Sequence, residues 1–291
     1  MLKLNANHQT ILSVSLVAFL FSCNPASKQD SQAPETETSA PEEKESTSVR
    51  PAHWGYGGEV GPSEWGKLSP VYALCEEGNG QSPINISDTE IGDEAQFILD
   101  YGSTPLKIAF NEHVDNIVDN GHTIQVNVDE GSTMTFGEKS YDLKQFHFHT
   151  PSEHTIDGEN LPLEMHFVHQ SKDESLAVLS VMFKEGAEND NFSKIVPNLP
   201  KTKGESKHLS DEILQLHMHI PEDVSGYFYN GSLTTPPCSE EVQWVVLKEN
   251  PTMSAEQIKA ISDIIGPNNR PVQALNGRTL QTGGLVETAA E

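Results

Sequence analysis

Apolar and polar residues alternate with period two along several stretches of this chain, the mark of a strand with two distinct faces. Thr123-Ile124-Gln125-Val126-Asn127-Val128 alternates cleanly. Gln145-Phe146-His147-Phe148-His149 sends Gln145 and both histidines to one face and both phenylalanines to the other. Leu163-Glu164-Met165-His166-Phe167-Val168-His169 repeats the pattern, with Glu164, His166 and Val168 opposite Met165 and Phe167. The run Leu176–Phe183 is almost wholly apolar, as expected of a strand buried on both faces, and Val242–Leu247 reads as a further strand. One helix is signalled by a capping box, Ser254 with Gln257, followed by a stripe of Ile258, Ile261 and Ile265 and a stop at Gly266-Pro267. Together these elements predict an α+β, β-dominated fold: a single domain around a large, mostly antiparallel twisted central β-sheet with peripheral short helices.

The first 50 residues break from that pattern. Lys3 precedes an apolar run from Ile11 to Phe21, too short to span a bilayer. Leu20-Phe21-Ser22-Cys23 then reads as the end of a lipoprotein-type signal over residues 1–23, with Cys23 cleaved to the N-terminus and lipidated. The other reading is an ordinary signal with an incidental cysteine. Residues 24–50 hold almost nothing apolar and cluster Glu42, Glu43 and Glu45, so they read as a disordered acidic Ser/Thr/Pro linker. Residues 51–287 are long enough for one well-packed domain, followed by a tail over 288–291.

Charge narrows the partners. Against 18 Lys+Arg stand 43 Asp+Glu, a net charge of −25. Binding to nucleic acid needs a basic patch, so that class is excluded. With Cys23 set aside, Cys75 and Cys238 remain, free to pair in an oxidising compartment or to stay as buried thiols.

The candidate chemistry lies on the two histidine-bearing strands. Between them Asp157-Gly158 is a turn signal, and an antiparallel pairing brings His166 towards His147 and His149. Three imidazoles with an open fourth position are the catalytic arrangement for zinc. Gln145 and Glu164 share those faces and are acceptors of the kind that fix a ligand histidine's tautomer. The plain alternative is a polar strand face turned to solvent.

A set of motifs extends this reading: His53-Trp54-Gly55-Tyr56, Gln81-Ser82-Pro83-Ile84-Asn85-Ile86, Asn120-Gly121-His122, the two histidine strands, Ser152-Glu153-His154, Gly231-Ser232-Leu233-Thr234-Thr235-Pro236-Pro237 and Asn269-Arg270-Pro271. In content and order the chain resembles the α-class carbonic anhydrases of the exported bacterial kind, over nearly all of residues 53–280. The resemblance implies one zinc ion per chain on His147, His149 and His166. It implies reversible hydration of carbon dioxide to bicarbonate and a proton, by attack of a zinc-held hydroxide. It places Thr234 and Glu153 as the pair that orients the hydroxide, and His122 as the proton shuttle, a task that suits a histidine near pKa 7. Thr235 falls beside the bicarbonate position. Val168, Val178, Leu233 and Trp244 form an apolar wall for carbon dioxide. Gln145 and Glu164 stand behind His147 and His166, while Tyr56, Asn120 and Gln125 order water. Cys75 and Cys238 pair as the family's disulfide, and Arg270 supports the site from outside.

The resemblance also implies sulfonamide and anion inhibition, weak esterase activity and a homodimer. It places the protein in the periplasm or cell envelope, with membrane contact only through lipidated Cys23. Two other classes are a catalytically silent surface binding protein and a periplasmic zinc-binding lipoprotein. A second His-x-His, His217 and His219, reads as an exposed pair without function. His154 and His169 read as buried hydrogen-bonding residues.

Overall fold

The computed structural model describes residues 52–87, 91–111 and 122–285, with the backbone alone for 91–94. The predicted signal, linker and tail, Cys23 and Asn120 lie outside these residues.

Twelve strands form the main sheet: β1 (Ile91–Asp100), β2 (Ser103–Phe110), β3 (Ile124–Asn127), β4 (Thr133–Phe136), β5 (Lys139–His149), β6 (Leu163–Gln170), β7 (Leu176–Glu185), β8 (Ser206–Gln215), β9 (Gly226–Ser232), β10 (Glu240–Leu247), β11 (Thr252–Met253) and β12 (Leu280–Leu285). Their order is β8-β2-β3-β5-β4-β1-β12-β9-β10-β7-β11, with β6 bridging β5 and β7. The pairs β7–β10, β7–β11 and β12–β1 are parallel, and the remaining pairs are antiparallel.

The predicted alternation sorts side chains into two cores. Phe146, Phe148, Met165, Phe167, Leu179 and Val181 join one cluster. Val168, Val178, Met182, Trp244 and Val246 join another on the opposite face. Both faces of the histidine-bearing segments are therefore buried, and the alternative of a solvent-facing polar strand falls away. A third cluster packs Trp54, Trp65 and Tyr72 around the Cys75–Cys238 disulfide.

The helix forms where the capping box predicted it, over Ala255–Ile265, with both reciprocal bonds made. The Gln257 side chain also accepts the Asn189 N–H, tying the cap to the neighbouring loop. Ile261 is fully buried, and Gly266 closes the helix at φ 64°, a conformation that favours glycine.

Two expectations change. Asp157-Gly158 is a turn, but it joins the short strands Thr155–Ile156 and Glu159–Asn160 of a small side sheet rather than β5 to β6 directly. His217 and His219, expected as an exposed pair, lie in a 3-10 turn, Leu216–His219, and are not both exposed. A 3-10 turn rotates about 120° per residue, so side chains two apart diverge. His217 is exposed, whereas His219 is buried between Phe146 and Phe192.

Candidate metal centre

The β5–β6 register places His147 directly opposite His166, His149 opposite Glu164 and Gln145 opposite Val168. The three imidazole centroids are 5.0, 5.3 and 4.6 Å apart, and each ring offers a nitrogen within 4.8 Å of the others. All three residues are buried.

One nitrogen of each ring is already engaged by an acceptor. His147 Nδ1 donates to Gln145 Oε1 at 2.8 Å, His149 Nδ1 to the Asn268 carbonyl at 2.8 Å and His166 Nε2 to Glu164 Oε1 at 2.7 Å. These bonds fix the tautomers and leave Nε2 of His147, Nε2 of His149 and Nδ1 of His166 to face the common centre. Buried His149 Nε2 has no hydrogen-bond partner. Burial pushes all three imidazoles below the usual histidine range, His149 to about 4 and His147 well below 6.5. Neutral rings with unshared lone pairs are the donor set a zinc ion requires, so the residues present fit that metal.

The carboxylates differ in role. Glu164 Oε2 accepts the backbone N–H groups of Glu153 and His154, and Oε1 takes bonds from His154, His166 and the Ser180 hydroxyl. Burial alone would raise its pKa; the neighbouring imidazoles and these bonds hold it well below the usual range. Glu153 Oε1 accepts the Arg270 N–H at 2.8 Å, while Oε2, without a partner, lies 3.5 Å from His149 Nε2. Burial lifts Glu153 to about 7, although His166 and the hydrogen-bonding Thr234 hydroxyl pull it back. Thr234 itself is buried in the loop after β9.

Other predicted residues gather around this centre. Val168, Val178 and Trp244 share a cluster against which Leu233 packs, and the Trp244 ring stands 5.0 Å from His166. Half-buried Thr235 follows Thr234, and its carbonyl accepts the Cys238 N–H. Gln125 is paired across β3–β5 with His147. Arg270 is buried; its backbone N–H bonds Glu153, and its guanidinium bonds Gln81, the Ser82 carbonyl and the Cys75 carbonyl. His154 and His169 are buried and hydrogen-bonded, as expected.

His122 departs from its expected pKa near 7. Its ring lies 4.1 Å from Trp54 and 5.9 Å from Tyr56, whose buried hydroxyl has no partner. Burial, then the charges of Lys203 and His53, lower it to about 4.

Sequence reasoning missed Asn268, whose carbonyl orients His149 and whose side chain bonds the Thr150 N–H and the Phe148 carbonyl. It also missed Ser180, the one hydroxyl in the apolar run of β7, which was itself a readable signal.

The fold and site define a buried cluster of three imidazoles that could hold a metal ion, on a twisted, strand-dominated sheet. The chain belongs to the family of eukaryotic-type carbonic anhydrases, whose family model matches residues 60–283. It is 43% identical over 229 residues to a carbonic anhydrase of Pectobacterium carotovorum, covering 78% of this chain and 90% of that one. The α-carbonic anhydrase of Thermovibrio ammonificans, solved with the inhibitor sulfanilamide, superposes with a TM-score of 0.73 at 41% identity, covering 79% of this chain and 99% of that one. A chain named dioscorin DB3L, from Dioscorea polystachya, is 32% identical over 231 residues, covering 77% of this chain and 83% of that one.

Proposed function

We propose that this protein is a zinc-dependent carbonic anhydrase that interconverts carbon dioxide and bicarbonate, with one zinc per chain on His147, His149 and His166. The observation that carries this reading is the set of three buried, neutral imidazoles whose second nitrogens are already bonded. A zinc ion supplies a Lewis acid that makes water nucleophilic near neutral pH, chemistry for which carbonic anhydrase is the standard case.

The chain's own residues do the rest. Thr234 gives its hydroxyl hydrogen to Glu153, so its oxygen is left as an acceptor that aims the attacking water. Cationic charge at the centre favours the Glu153 carboxylate needed for this. Val168, Val178, Leu233 and Trp244 offer a nonpolar gas an apolar wall, with Thr235 beside the product. His122 carries the proton towards bulk, with Tyr56, Gln125 and Asn120 ordering water. Packed against Trp54, the ring has its pKa lowered to about 4 by burial, so its uptake of protons depends on its access to water.

Sulfonamides and small anions are the expected inhibitors, in keeping with the inhibitor complex described above. Export to the cell envelope, lipid on Cys23 and a tether over residues 24–50 complete the proposal. The competing reading is a silent binding protein. It predicts a lost ligand or a lost Thr234–Glu153 pair, and all five residues are in place.

Stopped-flow carbon dioxide hydration beside a zinc assay tests the reading. Rapid hydration with about one zinc per chain is expected; bound zinc without hydration overturns it. Thr234→Ala should keep zinc and lose roughly 100-fold in turnover, the usual scale for a misplaced reacting group.

A further inference from the structure

A cavity of about 460 Å³ opens between the small side sheet and the segment 269–272. Its size falls within the roughly 300–1,000 Å³ range of small-molecule sites. None of the three clustered histidines lines it, and neither does any of Val168, Val178, Leu233 and Trp244. The charged residues in its lining are Glu153 and Arg270, and both are buried. The Arg270 guanidinium is turned to Gln81 and to the carbonyls of Ser82 and Cys75. The surface left for a ligand is therefore uncharged.

Three side-chain amides give that surface its polarity, and backbone partners fix two of them. The Gly158 N–H reaches Asn85 Oδ1 at 2.7 Å, and a backbone N–H only donates, so that oxygen is the acceptor. It also accepts the Thr155 hydroxyl at 2.7 Å. Asn85 is left with its N–H groups to give. Asn160 Nδ2 donates to the Ser152 carbonyl at 2.6 Å, which leaves its Oδ1 to accept. Among the described residues the Asn269 side chain makes no hydrogen bond, so it offers both ends. Pro271 and Val272 add a small apolar surface, with Val272 43% exposed.

Donors and acceptors side by side, without charge, match hydroxyl groups, each of which both gives and accepts. The limited apolar surface suits the C–H face of a ring better than a large apolar side chain. We propose that this cavity is a binding site for a neutral sugar ring. Asn85 donates to its hydroxyls, Asn160 accepts from them, Asn269 does both, and Val272 covers the C–H face. The net charge of −25 also disfavours an anionic carbohydrate. The site does not depend on zinc or on carbon dioxide chemistry. It adjoins the histidine cluster all the same: Asn269 stands in the chain between Asn268, whose carbonyl bonds His149, and Arg270, whose backbone N–H bonds Glu153.

The test titrates the full chain with glucose, galactose and N-acetylglucosamine, each alone, and then with glucuronate and a blocked alanine dipeptide. Nitrogen-15 spectra follow the side-chain NH2 signals of Asn85, Asn160 and Asn269. At least one neutral sugar should shift these signals saturably. Asn269→Ala should weaken that sugar's affinity about 3–10-fold, the scale of one neutral hydrogen bond. Val272→Trp, which fills the cavity from an exposed position, should weaken it at least as much. Either variant decides the matter if the other does not fold. Absence of saturable shifts with all three neutral sugars overturns the proposal, as does unchanged affinity in the variants. Tighter binding of glucuronate or of the dipeptide overturns it too, and would assign the cavity to anions or to peptides. The outcome is read without zinc, so a failure here leaves the proposed function untouched, and the reverse holds as well.

Discussion

The chain contains two His-x-His pairs, and among the described residues only one of them converges with a third histidine into a cluster that could hold a metal ion. His147 and His149 lie on a strand, where residues two apart share a face, and a third histidine stands directly across the ladder. His217 and His219 lie on a 3-10 turn that splits them, one to solvent and one into an aromatic pocket. In the first pair each ring has an acceptor behind it. In the second, buried His219 Nδ1 has no hydrogen-bond partner among the described residues. The same spacing therefore means different things on different backbones. What makes a histidine pair a metal site is convergence plus an engaged second nitrogen.

Removing the third histidine should reduce the first pair to the standing of the second. His166→Ala is expected to lose stoichiometric zinc and to bring carbon dioxide hydration to the uncatalysed background. The cost in metal affinity should exceed the roughly 100-fold upper range seen for groups behind a ligand. Equilibrium dialysis against a zinc indicator checks it; a variant that still holds one zinc would show that two strand histidines suffice.

Much of this contrast was legible in advance, for physical reasons. Period-two alternation survives in β5 and β6 because each face belongs to a different core, so the ligand face could be read from Phe146 and Phe148 opposite it. The helix was legible because its cap is local, confined to Ser254 and Gln257. The partner of His149 was not. Asn268 is 119 positions away and acts through a backbone carbonyl, which no side-chain pattern encodes. The burial of His219 was hidden for a related reason: it depends on a turn type and on Phe192, a loop residue distant in sequence. The low pKa of His122 follows from its packing on Trp54, again a contact between distant segments.

His122 sits between the two extremes, half-buried and near the site without belonging to the ligand set. If it carries protons, His122→Ala should slow turnover about tenfold or more in weak buffer, leave kcat/KM unchanged and recover with added imidazole, as for other acid–base groups whose role is transfer alone. A mutation that lowers kcat/KM as well would place His122 with the positioning residues instead.

At His219 no effect on metal or turnover is expected, and the comparison is read through stability alone. Burial lowers this imidazole from 6.5 to about 4, the nearby His217 adding to the shift. Between those values the unfolded chain binds more protons than the folded one, so this residue's share of stability is present above pH 6.5 and is lost as pH falls towards 4. The loss amounts to roughly 2–3 kcal/mol by the low end of the window. His219→Leu removes both the titration and the orphaned nitrogen. At pH 7 its stability should lie within about 1 kcal/mol of wild type, because one unpaired polar atom is exchanged for apolar surface in an aromatic pocket. As pH falls to 4 the variant should become progressively more stable than wild type. His217→Leu, at an exposed ring, should match wild type at pH 7 and lose slightly less stability on acidification, because it removes the smaller cause of the His219 shift. Buried His169, lowered to about 3, contributes acid lability of the same sign to all three proteins and cancels in the differences. Denaturant melts at pH 7, 5.5 and 4 measure these differences directly. A flat difference curve for His219→Leu would mean that the imidazole finds water on protonation without leaving its pocket.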